Sequence, residues 1–362
     1  MTTRRHLLRI ACLAALGGAL AATATTSHAE ASLPVPEAAT AAAATPIEPL
    51  DVDPSLYTSR NLDWQDAKRS RPVPVKLYLP ASAAEGARLP LVLFSHGIGG
   101  SREGYRYLGR YLASMGYASL HVQHVGSDRR LWSGNPFALV SRLSGAAQTD
   151  EALARVQDVK FALDQLLASE YSQRIDARRI AVAGHSYGAN TTLLLAGASV
   201  PLNGETLKLR DPRVSAAIML SAPPFYGLGE PTNMLAGIDI PTLHITATAD
   251  DINIPGYFSG VDDRISIFKA TAVKTNSQKV LAVFKEGSHS VFTDRMGTGG
   301  ATLNPKIKVA TRKLALAFLD RVFGQERLTL EGWQTSYSPL LAIFEARAGG
   351  APGAGIGTAR TH

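Results

Sequence analysis

Short apolar runs alternate with longer segments of helical periodicity along most of this 362-residue chain. The apolar runs predict seven strands: Val73–Leu79, Leu91–Ser95, Tyr117–Val122, Ile180–Gly184, Val214–Ser221, Thr242–Ala247 and Val280–Phe284. Leucine and valine recur at steps of three and four in Asp150–Glu170, which predicts a helix with one apolar face. Further helices are predicted over Glu103–Met115, Tyr187–Ala198 and Lys306–Phe323. This alternation predicts an α/β fold with a mostly parallel central sheet and helices on both faces.

Ligands of such sheets bind beyond the carboxyl ends of the strands, so reactive residues are expected just after the predicted strands. Gly184-His185-Ser186-Tyr187-Gly188 fits the pattern G-x-S-x-G and lies between a predicted strand and a predicted helix. The sharp turn holds the serine clear of the sheet, and glycines on either side avoid a clash there. The sequence therefore predicts Ser186 as a nucleophile.

A serine nucleophile needs a base and a group that orients the base. His289 follows the strand Val280–Phe284, and Asp250 and Asp251 follow the strand Thr242–Ala247. The chain order Ser…Asp…His is the one expected on this architecture. We predict His289 as the base and Asp250 as the acid, with Asp251 as the alternative.

A glycine-rich turn, His96-Gly97-Ile98-Gly99-Gly100, follows the strand Leu91–Ser95. The chain resembles the α/β-hydrolase superfamily in four segments: this turn, the Ser186 motif, Thr246-x-Thr248-Ala249-Asp250 and Gly287-Ser288-His289. The closest similarity is to dienelactone-hydrolase-like and platelet-activating-factor-acetylhydrolase-like serine esterases of bacteria. The resemblance implies an α/β-hydrolase fold, an oxyanion hole formed by the backbone N–H groups of Ile98 and Tyr187, and Asp250 as the acid. Dienelactone hydrolases proper use cysteine as nucleophile, so Ser186 argues against dienelactone itself.

The long connection between residues 126 and 149 contains several apolar side chains and is typical of a lid or binding loop. We predict that Trp132 and His124 line the substrate pocket, and that Trp132→Ala alters acyl-chain preference. His121 and His124 are not expected to bind a metal together, because residues three apart on a strand point to opposite faces. No metal or organic cofactor is expected.

The N-terminal residues are predicted to be an export signal. Thr3-Arg4-Arg5-His6-Leu7-Leu8-Arg9 resembles the twin-arginine pattern, and an apolar run and a small-residue cleavage site ending at Ala29 follow. The alternative is a membrane anchor, but the apolar run of about a dozen residues is short for a bilayer core of ~30 Å. Cleavage after Ala29 would lower the formal charge from +7 to +4, which gives no indication of nucleic-acid binding. The one cysteine, Cys12, falls in this segment, which excludes an intramolecular disulfide.

We expect a signal peptide over residues 1–29, an Ala/Pro-rich linker over 30–55, a catalytic domain over 56–346 and a disordered Gly/Ala-rich tail over 347–362. The predicted protein is a serine hydrolase, periplasmic or secreted, that cleaves carboxylic esters through an acyl-enzyme. Its substrate would be a small-molecule, lipid or polyester ester, with a role in lipid degradation. No stable membrane span is expected, and the oligomeric state stays open. The alternatives are an amidase or peptidase with the same triad, or a catalytically silent binding protein on the same fold.

Overall fold

The structure is a computed structural model that describes residues 48–349 except 83, 85, 203, 226–228, 255–256, 275–276, 296–299, 301 and 326. The predicted signal peptide, the linker up to residue 47 and the tail from residue 350 lie outside the described residues.

Thirteen strands and eight helices are formed by the described residues. The strands are β1 (Tyr57–Asp66), β2 (Arg71–Pro80), β3 (Leu89–Ser95), β4 (Ala118–Val122), β5 (Ile175–His185), β6 (Ser199–Leu202), β7 (Glu205–Lys208), β8 (Val214–Leu220), β9 (Thr242–Ala249), β10 (Ile252–Ile254), β11 (Tyr257–Ser259), β12 (Gln278–Ser288) and β13 (Leu341–Ala348). The helices are α1 (Arg106–Ser114), α2 (Leu139–Ala146), α3 (Thr149–Ala168), α4 (Tyr187–Ala196), α5 (Pro231–Leu235), α6 (Val261–Ala270), α7 (Leu303–Val322) and α8 (Leu330–Tyr337).

Nine strands make one sheet in the order β1-β2-β4-β3-β5-β8-β9-β12-β13. The six strands from β4 to β12 in that order run parallel to one another, while β2 and β13 are antiparallel to the strands they flank. All seven predicted strands and four predicted helices are present, and the predicted α/β class with a mostly parallel sheet is confirmed. The carboxyl ends of β5, β9 and β12 meet at one edge of this sheet.

The core has two layers, one on each face of the sheet. Alternate residues of β3 divide between them, with Leu91 and Leu93 in one layer and Val92 and Phe94 in the other. Helices α3, α4 and α5 cover the first face, and α1, α7 and α8 cover the second. Within the described residues, no helix is both long enough and apolar enough to cross a bilayer.

The elements that the sequence did not predict lie mainly at the margins. In β1 most side chains are exposed, and only Leu62 and Trp64 pack against the core, so no apolar run marks the strand. At the other edge, β13 pairs antiparallel with β12. Its last two residues, Arg347 and Ala348, fall in the segment expected to be a disordered tail.

Candidate active site

Ser186 lies at a sharp turn between β5 and α4, as the motif predicts. Its backbone angles, φ 55° and ψ −121°, are strained for a residue other than glycine. A Cβ at Gly188 would overlap the carbonyl of Ser95, and one at Gly184 would overlap the carbonyl of Gly188. Two glycines are therefore needed here because backbone meets backbone without room for a side chain.

The structure brings the three predicted triad residues together. The Ser186 Oγ lies 2.9 Å from Nε2 of His289, and Nδ1 of His289 lies 2.7 Å from Oδ1 of Asp250. Because a carboxylate only accepts hydrogen bonds, Nδ1 carries the proton and the Nε2 lone pair faces the serine hydroxyl. The side chain of Asp250 is fully buried, whereas Asp251, the alternative acid, is exposed.

The second carboxylate oxygen of Asp250 accepts two hydroxyl hydrogen bonds, one from Ser221 at 2.5 Å and one from Thr246 at 2.6 Å. A buried guanidinium, Arg264, lies 3.7 Å from the first oxygen. Burial by itself would raise the pKa of the Asp250 carboxyl, but His289, Arg264 and the Ser221 hydroxyl together hold that pKa well below its usual value. The acid is therefore kept ionised and oriented toward the imidazole.

Ser221 is a site residue that the sequence did not reveal. It follows β8, is fully buried and has a φ of 55°. Its Oγ also lies 2.8 Å from Nδ1 of His289, so the imidazole proton is shared between Ser221 and Asp250. Nothing in the local sequence separates this serine from any other at the end of a strand.

The glycine-rich turn after β3 lies against Ser186. A Cβ at Gly97 would lie 3.4 Å from that of Ser186. The N–H groups on both sides of Ile98 are bound, since Gly97 donates to the Tyr105 hydroxyl at 3.3 Å and Gly99 donates to the Ser127 carbonyl at 2.8 Å. The Ile98 N–H itself has no acceptor among the described residues.

Tyr187, the other predicted oxyanion residue, is the first residue of α4, directly after Ser186. Its side chain packs in one apolar cluster with those of Ile98 and Ala152. The two residues predicted to form the oxyanion hole are thus neighbours in the structure.

A cleft of about 380 Å³ opens above Ser186 and His289. Its walls include the glycine-rich turn, Tyr105 and Ile252, and two arginines, Arg129 and Arg295. Neither arginine has an ion-pair partner in the described part of the chain. The charged residues that line the cleft are thus Arg129, Arg295 and one aspartate, Asp294.

His124 and Trp132, predicted to line the pocket, are not among the residues that line this cleft. His124 is fully buried and contacts Asp158 Oδ2 at 3.1 Å and Ser95 Oγ at 2.9 Å. Burial, with the charge on Arg155, holds the pKa of His124 well below its usual value. Trp132 is half-buried, and its indole N–H donates to the Gly99 carbonyl at 2.8 Å, so it supports the turn from behind.

Helix α3 buries charged side chains beneath the glycine-rich turn. Glu151, Arg155 and Asp158 lie on its inner face at steps of four and three residues. Arg71 donates to both carboxylates, at 3.0 Å to Asp158 and 3.1 Å to Glu151. Burial raises the pKa of Glu151, although Arg71 acts in the opposite direction. The sequence analysis did not predict this network. The sequence does contain an indication of it, because charged residues occupy positions on the buried face of a strongly periodic helix.

A second hydrogen-bonded chain joins the glycine-rich turn to the loop of His289. The Nε2 of His185 donates to the His289 carbonyl at 2.9 Å, so Nδ1 is the nitrogen that accepts from the Tyr105 hydroxyl at 2.8 Å. The same hydroxyl accepts from the Gly97 N–H. Burial lowers the pKa of His185 to about 3, so this imidazole stays neutral.

No group of three or more His, Cys, Asp or Glu side chains within the described ranges is arranged to hold a metal ion. His121 contacts the Gly104 carbonyl at 3.1 Å, whereas His124 contacts Asp158 and Ser95.

Residues 69–129 match the family model for platelet-activating factor acetylhydrolase, isoform II. The matched segment contains β2, β3, the glycine-rich turn, α1 and β4, and therefore Ile98, but none of the three triad residues. No curated protein was found to match the chain. Together with the mostly parallel sheet, the match confirms the expected similarity to this group of esterases and the α/β-hydrolase fold.

Proposed function

We propose that this protein is a serine hydrolase that cleaves carboxylic esters. One observation carries the proposal: a strained serine at a strand–helix turn lies within 2.9 Å of an imidazole that a buried carboxylate orients at 2.7 Å. This arrangement activates a hydroxyl for attack on an acyl carbon. The match to an esterase family over the glycine-rich turn agrees with it.

In the proposed reaction, Nε2 of His289 takes the proton of the Ser186 hydroxyl as its oxygen attacks the ester carbonyl. The tetrahedral oxyanion accepts hydrogen bonds from the N–H groups of Ile98 and Tyr187. The imidazolium returns the proton to the leaving alcohol, and an acyl-enzyme remains on Ser186. His289 then takes a proton from water as the water oxygen attacks the acyl carbon, and it returns that proton to the Ser186 oxygen as the acid leaves. Asp250 stabilises the imidazolium in both steps.

We further propose that the enzyme is exported by the twin-arginine route and acts in the periplasm or outside the cell. The support is the N-terminal Arg4-Arg5 pattern with its apolar run and small-residue cleavage site. Small-molecule, lipid and polyester esters are the substrates that an exported esterase would meet, and lipid degradation is the proposed role.

The test is an assay of p-nitrophenyl ester hydrolysis by the variant Ser186→Ala. We expect this variant to fold normally and to show no turnover. Ser215→Ala is the matched control, because this partly buried serine lies near the start of β8, away from the strand ends that carry the site, and its hydroxyl donates to the Ile180 carbonyl. A fluorophosphonate should label the wild-type protein on Ser186 and leave Ser186→Ala unlabelled. Wild-type turnover by Ser186→Ala would overturn the proposal.

Two other functions are separated by simple measurements. An amidase or peptidase would turn over both the ester and the anilide with the same acyl group, whereas the proposed esterase would turn over the ester alone. A silent binding protein on this fold would bind esters without releasing alcohol and would not react with a fluorophosphonate.

A further inference from the structure

Three elements around the proposed site converge on one buried guanidinium. Arg155 of α3 is fully buried. Its Nε donates to Thr191 Oγ1 at 3.1 Å, and its Nη1 donates to Ser127 Oγ at 2.7 Å. Its Nη2 donates to Ser95 Oγ at 3.1 Å and to the carbonyl oxygen of His96. The four acceptors belong to the end of β3 and the start of the glycine-rich turn, to the loop after β4, and to α4.

The first two of these regions fix the position of Ile98. The His96 carbonyl, bound by Arg155, lies on the N-terminal side of the Gly97–Ile98 peptide. On the C-terminal side, Gly99 donates to the carbonyl of Ser127, whose hydroxyl Arg155 also binds. One guanidinium therefore holds both ends of the short segment that presents the Ile98 N–H.

The third element fixes Tyr187. The Arg155 guanidinium carbon lies 4.4 Å from the centre of the Tyr187 ring, a cation–π contact inside the protein. Thr191 Oγ1 accepts from Arg155 and contacts the Tyr187 carbonyl at 3.2 Å, so the first turn of α4 is bound from the same side.

We propose that Arg155 is a positioning residue for the oxyanion hole, which fixes the Ile98 N–H relative to the Tyr187 N–H. The inference rests on the proposed function. Donors that are held in place before the substrate arrives stabilise the oxyanion without reorganising during the reaction. The planar guanidinium serves four acceptors in different directions at once, which the single ammonium of a lysine at this position does not.

The experiment compares Arg155→Lys and Arg155→Met with the wild type. We expect kcat to fall about 10- to 100-fold, less than the 10²–10³ typical for complete removal of one oxyanion donor, because the donor is displaced and not deleted. KM should change less than about threefold, since the hole acts mainly on the transition state. Thr191→Val, which keeps the side-chain shape and loses one of the four acceptors, should give a smaller loss in the same direction.

The decisive readout is the ratio of kcat/KM for an ester to that for the matching thionoester. Sulfur accepts hydrogen bonds weakly, so an intact oxyanion hole favours the oxygen ester and a disordered one loses this preference. We expect the ratio to fall in both Arg155 variants. A role of Arg155 in stability alone would lower the melting temperature and leave the ratio unchanged.

Arg312→Met is the matched control for the loss of a buried arginine. Arg312 of α7 is 2% exposed and binds Glu48, Pro49 and Leu50, away from the cleft. All variants are assayed well below their melting temperatures, with folding checked by circular dichroism. Thr191→Val gives the answer if both Arg155 variants fail to fold.

An unchanged thionoester ratio in every folded Arg155 and Thr191 variant would overturn the inference, and so would a loss of kcat no larger than in Arg312→Met. Ser186→Ala is measured alongside. If it is inactive, these outcomes reject the role of Arg155 alone. Wild-type activity in Ser186→Ala would reject the proposed function, and the inference with it.

Discussion

Replacing His244 should make the folded protein less sensitive to acid. His244 lies on β9, is 4% exposed, packs edge-on against Phe268 and leaves its Nε2 without a hydrogen-bond partner among the described residues. Burial, and to a smaller extent the charge on Lys279, lowers the pKa of its imidazole to about 3. The folded protein therefore holds this histidine neutral over a range in which the unfolded chain, with a pKa near 6.5, takes up a proton.

The sign follows from proton linkage. Because the unfolded state binds more protons below pH 6.5, the free energy of unfolding falls as the pH drops from 6.5 toward 3. For one group shifted from about 6.5 to about 3, the loss between pH 7.5 and pH 5.0 is roughly 2 kcal/mol. Other buried histidines, such as His121 and His185, act in the same direction, so the wild type should lose more than this in total.

The assay is urea unfolding of the wild type and His244→Leu at pH 7.5 and pH 5.0. We expect His244→Leu to lose about 2 kcal/mol less than the wild type between the two pH values. Thr242→Val is the control, because Thr242 lies on the same strand and also buries an unpartnered polar atom, but it does not titrate. Equal losses in the wild type and His244→Leu would show that burial does not depress this pKa.

The remaining predictions concern turnover. Asp250→Asn should lower kcat by about 10⁴-fold, the order of magnitude found when a triad acid is replaced by an amide. The variant of the exposed alternative, Asp251→Asn, should keep normal kcat, and the reverse result would assign the acid to Asp251. Ser221→Ala should lower kcat by about tenfold with little change in KM, because Asp250 loses one hydroxyl donor; an unaltered kcat would exclude Ser221 from the site. In Gly99→Ala the new Cβ would overlap the Trp132 indole at a φ of +69°, so kcat should fall and stability should drop by about 1–2 kcal/mol, which thermal unfolding measures. Trp132→Phe removes the donor to the Gly99 carbonyl and should slow short- and long-chain esters equally; a change confined to one chain length would restore Trp132 to the pocket wall.

The sequence predicted the seven interior strands of the sheet and missed its two edge strands, β1 and β13, and the two short hairpins β6-β7 and β10-β11. Every residue of β3 is buried, so the strand reads as an unbroken apolar run. At the edges of the sheet a strand is partly exposed to solvent, and polar residues such as those of β1 interrupt the apolar run that would predict a strand. Edge strands of this kind are defined by their antiparallel partners, which a local pattern does not include.

The candidate site shows the same limit of local sequence patterns: some of its residues could be predicted and others could not. Ser186, Asp250 and His289 could be found because each directly follows a predicted strand and the chain order is informative. Ser221 could not, because its role depends on a backbone turn and on two partners distant in sequence. His124 was placed in the pocket since it ends a strand on the active side, but α3 covers that strand end and brings Asp158 onto the imidazole.

The positions of the triad residues bear on how the chain folds. Ser186 and His289 are 103 residues apart, and each follows a different parallel strand, with Asp250 after a strand between them. Contacts between parts of the chain so distant form only after long loops have closed, which makes parallel sheets slow to assemble. Reactivity of Ser186 should thus arise among the last events of refolding, after secondary structure is complete. The rate at which refolding protein becomes reactive toward a fluorophosphonate would then report the final docking of β12 and its histidine loop.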